Sequence, residues 1–79
     1  GWGYYLIGDY ENAEKYLRRA VELMPYDPIV NDHYGDVLWQ LNRKIQAKYF
    51  WKNVLDLEDT EEKMKKNIFN KLLNGPNKI

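Results

Sequence analysis

The chain has 79 residues, no cysteine and zero formal net charge, with 12 basic side chains set against 12 acidic ones. A chain this short forms one small domain that buries only about 60% of the surface its unfolded form exposes, and without cysteine neither disulfides nor thiolate metal sites reinforce it. No apolar run approaches the roughly 20 residues of a membrane-spanning helix, and the N-terminus lacks the basic-then-apolar order of a signal peptide.

In chain order, the opening "GWGYYLI" reads as the tail of a helix that starts upstream, so the chain, which begins without Met, is expected to be a piece of something longer. Residues 10–24 follow with Ala13, Tyr16, Leu17, Ala20, Val21 and Leu23 at spacings of three and four, the stripe of an amphipathic helix. Pro25 ends that helix, and Pro28 suits the first turn of the next. Residues 29–41 place Val30, Tyr34, Val37, Leu38 and Leu41 on one face; "LNRK" turns the chain; residues 44–57 carry Ala47, Phe50, Trp51, Val54 and Leu55. The last stretch, "DTEEKMKKNIFNKLLNGP", predicts a helix over about 60–74, with Asp59 or Thr60 as its cap, an Asp59-to-Glu62 capping box and a stop at Gly75-Pro76. Periodicity places Tyr34, Leu38 and Trp51 in the core, whereas Trp2 and Trp39 lie off the main apolar stripe.

Shifted by 34 residues, the sequence matches itself: Gly1 falls on Gly35, Ala13 on Ala47, Leu17 on Trp51, Ala20 on Val54 and Leu23 on Leu57. Gly8 falls on Asn42, and these two residue types best tolerate the left-handed conformation that ends a helix. A repeating helical pair is therefore expected, divided as residues 1–27 (a partial first unit), 28–59 (a second unit), 60–75 (a closing helix) and 76–79 (a tail).

The residues of the second unit, Asn31-x2-Tyr34-Gly35-x2-Leu38 followed by Ala47-x3-Trp51, resemble the tetratricopeptide repeat (TPR) family, whose 34-residue unit reads W-x2-L-G-x2-Y, then A-x3-F, then P. Gly1-x2-Tyr4, Ala13-x3-Leu17 and Pro25 match in the first unit, so the likeness covers about residues 1–59, and the last helix resembles the capping helix of such arrays. Asn31 stands where Trp is usual and Asp59 where Pro is usual, which predicts looser packing there. The resemblance implies an all-α fold: antiparallel helix-turn-helix repeats in a right-handed solenoid with a C-terminal capping helix.

It also implies a function. Members bind proteins, holding a peptide or helix of the partner in a concave groove, and do no chemistry. The groove residues here would be Trp2, Tyr5, Leu6, Ile29, Asp32, His33, Asp36, Trp39 and Gln40, an acidic and aromatic lining. That lining disfavours the chaperone C-terminal carboxylates that one subgroup clamps with Lys, Asn and Arg. It suits a partner segment with Lys or Arg and an apolar anchor, drawn by Asp32 and Asp36 and contacted by Trp2 or Trp39. Alternatively, this terminal piece only caps an array whose upstream repeats do the binding.

Other chemistries are poorly supplied. Asp32, His33 and Asp36 contain metal-ligand types, but neighbours on a helix point about 100° apart, so only two converge and no metal or other cofactor is expected. With no Ser, no Cys and a single His, covalent catalysis lacks its usual nucleophiles, and no enzyme is expected. Lys44, Lys48 and Lys52 form a basic stripe beside Tyr49 and Phe50, a footprint compatible with nucleic acid, although the net charge is zero where nucleic-acid binders are basic. Finally, a truncated stack is expected to expose Trp2, Tyr16 or Leu17 at its N-terminal face and to self-associate there.

Overall fold

The computed structural model describes residues 8–76, and these are all-helical, without a strand. Four helices follow one another: α1 (Tyr10–Leu23), α2 (Pro28–Gln40), α3 (Lys44–Asp56) and α4 (Glu62–Asn74). Each packs on the next in sequence, α1 on α2, α2 on α3 and α3 on α4. Cross-links fix the directions. Asn53 bonds Asn31 and Phe50 meets Tyr34, so α3 runs antiparallel to α2, while Lys71 reaches Asp32 and Asp36 and Gly75 lies beside Trp39, so α4 runs parallel to α2. The starts of α1 and α3, and of α2 and α4, are each 34 positions apart.

Local chemistry accounts for most of the boundaries. Asp9 caps α1 by accepting from the Asn12 amide at 3.3 Å. Asp27 caps α2 by accepting from the Ile29 and Val30 amides at 2.9 and 3.1 Å, with Pro28 in the first turn, where a missing N–H costs nothing. Gly8 (φ 82°) and Asn42 (φ 61°) both adopt the left-handed conformation that their alignment predicts, and Gly75 (φ 77°) ends α4. The start of α4 departs from expectation. Its cap is Glu61, without a side-chain hydrogen bond, and the Asp59 capping box does not form. Thr60 instead donates its hydroxyl to the Val54 carbonyl at 2.6 Å and is buried, tying the α3–α4 loop back onto α3. Leaving the buried Thr60 hydroxyl without an acceptor would cost about 1–3 kcal/mol, against about 1 kcal/mol for an exposed cap.

The core joins Ala13 and Leu17 of α1, Tyr34, Val37 and Leu38 of α2, Ala47, Trp51 and Val54 of α3, and Ile68 of α4. Trp51 is its centre: a Cβ on Gly35 would lie 2.6 Å from Trp51 Cδ1, so only glycine lets the indole reach the α2 backbone, where Nε1 donates to the Asp32 carbonyl at 3.3 Å. Asn31 is tied into the fold by hydrogen bonds. It is fully buried, donates to the Pro25 and Asp27 carbonyls at 3.0 and 2.8 Å, and accepts from Asn53 at 3.3 Å, so it ties α2 to the preceding turn and to α3. Of the side chains expected at an open N-terminal face, Tyr16 is 58% exposed, Leu17 is buried against the core instead, and Trp2 lies outside the described residues. No helix among the described residues is long and apolar enough to cross a membrane.

Candidate functional site

Asp32 and Asp36, one turn apart on α2, do not present an open acidic face. Lys71, projecting from α4, donates to Asp32 Oδ1 at 2.7 Å and to Asp36 Oδ1 and Oδ2 at 2.9 and 3.0 Å. The Lys71, Asp32 and Asp36 side chains retain only 18%, 15% and 9% of their exposure, so the three charges are largely withdrawn from water. The ammonium also lies 6.0 Å from the Trp51 ring centroid, which places the base between two acids and an aromatic face. The clasp carries a net negative charge in a poorly solvated place. Burial, reinforced by Asp32 and opposed by Lys71, pushes the Asp36 carboxyl up to about 6. Burial works against the Lys71 ammonium, but the two carboxylates outweigh it and raise its pKa.

The remaining expected groove residues separate into open and covered. Trp39 is covered: its ring lies 5.5 Å from Trp51, Lys44 Nζ sits 4.9 Å from it, and a Cβ on Gly75 would come within 2.8 Å of Cζ2. His33 is half-buried, and burial lowers its pKa. Ile29 and Gln40 are exposed. Trp2, Tyr5 and Leu6 lie outside the described residues. Thus α4 occupies the stretch of the α2 face where Asp32, Asp36 and Trp39 were expected to meet a partner. Among the described residues no group of three metal-ligating side chains forms, and Lys71 takes up both carboxylates of the Asp32, His33 and Asp36 set.

A second polar network was also outside the sequence reading. Glu14, buried on α1, accepts from Tyr34 Oη at 2.8 Å and from Arg18 Nε and Nη2 at 2.9 and 2.5 Å. The Arg18 hydrogen bonds outweigh burial and hold the Glu14 carboxyl below its ordinary value, while burial and Glu14 push the Tyr34 hydroxyl up to about 12. The signal for Lys71 was present: Ile68, Lys71, Leu72 and Gly75 share the inward stripe of α4, so a lone base sat among apolar positions opposite two acids. Lys44, Lys48 and Lys52 are exposed along α3.

Comparison of the chain with family models, with curated proteins and with solved structures finds no match.

Proposed function

We propose that the chain is a non-catalytic protein–protein interaction segment built from TPR-like helix-turn-helix units in a right-handed solenoid, with α4 as its capping helix. The observation that supports it best is the recurrence at 34 residues of helix starts, Tyr10 with Lys44 and Pro28 with Glu62, together with the left-handed residues Gly8 and Asn42. Units repeated at such a period bury their apolar faces by stacking and present a surface rather than an enclosed pocket. On that surface Ile29 is open beside the clasp, and the resemblance continues the face through Tyr5 and Trp2.

The clasp favours a second reading within the same class. Since Lys71 already meets Asp32 and Asp36, a basic partner reaches them only by displacing α4, and this segment then serves as the structural cap of an array whose upstream units recognise the partner. A photo-crosslinker at position 29 and another at position 52 on the outer face of α3 separate the readings in lysate of the source cell. Protein adducts from position 29 alone support groove recognition, and adducts from neither position support the cap. Protein adducts from position 52 alone remove the groove, and nuclease-sensitive adducts there favour nucleic acid at the lysine stripe.

A further inference from the structure

Two clefts lie at the end of the molecule where α1 turns into α2 and α3 into α4, and together they form one acidic strip with an apolar floor. The larger, of about 530 Å³, is lined by Tyr26, Asn53, Asp56, Leu57, Glu58 and Asp59. The smaller, of about 270 Å³, shares Asp59 and adds Ile29, Glu61 and Met64 among its walls. Tyr26 is 78% exposed. Asp56, Glu58, Asp59 and Glu61 make no ion pair with any described residue.

The opposite end, at the turn from α2 to α3, has the complementary character. Arg43, Lys44 and Lys48 are exposed there and none pairs with a carboxylate among the described residues. They flank Ile45 and Tyr49, which are 88% and 65% exposed. Acidic side chains at one end and basic side chains at the other are therefore left without an ion pair among the described residues, set around bare apolar side chains. Lys44 and Asp56 are the two ends of α3, separated by about 18 Å of helix, so one copy cannot bring its own patches together. A net charge of zero leaves no overall repulsion between copies.

We propose that the acidic end of one copy docks the basic end of a second copy, with Ile45 and Tyr49 against the cleft walled by Tyr26 and Leu57, and Arg43 and Lys44 facing Glu58 and Asp59. The two patches differ and lie at opposite ends, so the contact is heterologous and joins copies head to tail. The smaller cleft shares Ile29 with the proposed groove, but the docking contact itself uses neither Ile29 nor the Lys71 clasp and does not depend on the function proposed above.

Sedimentation of the chain, of Glu58→Lys/Asp59→Lys and of Arg43→Glu/Lys44→Glu tests it, with circular dichroism to verify that the variants, changed only at exposed positions, keep their helicity. In low salt the unaltered chain should show a weight-average mass that climbs with concentration above the 9.5 kDa monomer, and each variant alone should stay at the monomer mass. An equimolar mixture should regain the climb in mass with concentration, because the native basic end of the first variant complements the native acidic end of the second and the two reversed ends complement each other. Raising the salt severalfold should dissociate all of these, since exposed charge pairs are screened over about 10 Å at 0.1 M. An unaltered chain that stays monomeric at millimolar concentration overturns the proposal, as do variants that associate like the unaltered chain, or a mixture that stays monomeric.

Discussion

Two groups of carboxylates in this small protein meet opposite fates. Asp32 and Asp36 are largely buried and answered by Lys71 from a helix that begins 26 positions after Asp36, whereas Asp56, Glu58, Asp59 and Glu61 crowd one end and form no ion pair among the described residues. Charge that the fold neutralises internally becomes part of its stability and is lost to recognition. Charge left unpaired in water contributes little to the fold and remains free to attract another molecule.

The largest expected effect breaks the first half of this comparison. Lys71→Met leaves two carboxylates in a poorly solvated place, and chemical denaturation should show a loss of about 3–5 kcal/mol. Hydrogen exchange should place that loss first in residues 62–74. Replacing the whole clasp, with Asp32→Leu and Asp36→Leu added to Lys71→Met, should return stability to within about 1 kcal/mol of the parent, because the desolvation penalty of all three charges goes with them. If the triple variant were as unstable as the single one, packing of the lysine stem would be the dominant contribution.

A smaller effect sharpens the comparison through pH. The folded-state pKa of Asp36 is raised from 3.8 to about 6, so the folded chain holds that proton more tightly than the unfolded one. Its contribution is therefore fully present below about pH 4 and is lost as pH rises through 6. His33, whose pKa is lowered from 6.5, acts in the opposite sense, with a contribution present above 6.5 and lost as pH falls. Relative to Asp36→Asn, the parent should gain about 1–3 kcal/mol between pH 7.5 and 4.5, read as the difference between the two stability curves, in which the shared contribution of His33 cancels. Parallel curves would mean that Asp36 stays ionised throughout. The smallest effect belongs to the other end: Glu58→Gln and Asp59→Asn should each change stability by no more than about 0.5 kcal/mol, because neither side chain makes an ion pair or hydrogen bond within the described residues.

Much of the fold was legible in local pattern. The spacing of Ala13 and Leu17, of Tyr34 and Leu38, and of Ala47, Trp51 and Val54 marks the buried faces, and Asp27-Pro28, Gly8, Asn42 and Gly75 mark where helices start and stop. Each of these depends on residues within a turn or two of one another, through backbone angle, capping or helical period, so sequence alone determined them. The candidate site was less legible. The resemblance placed Asp32, Asp36 and Trp39 on one face, and the stripe of α4 held a lone Lys71 among apolar positions, but nothing local to either helix paired the two; the sequence also offered Asp59 or Thr60 as the cap of α4, although the Thr60 hydroxyl is spent on Val54. The partners of Asp36 and Tyr34 lie 35 and 20 positions away, and no local period relates such pairs. Only the tertiary structure decided them, because a buried charge or hydroxyl takes whichever complementary group the packing of helices brings within hydrogen-bonding distance.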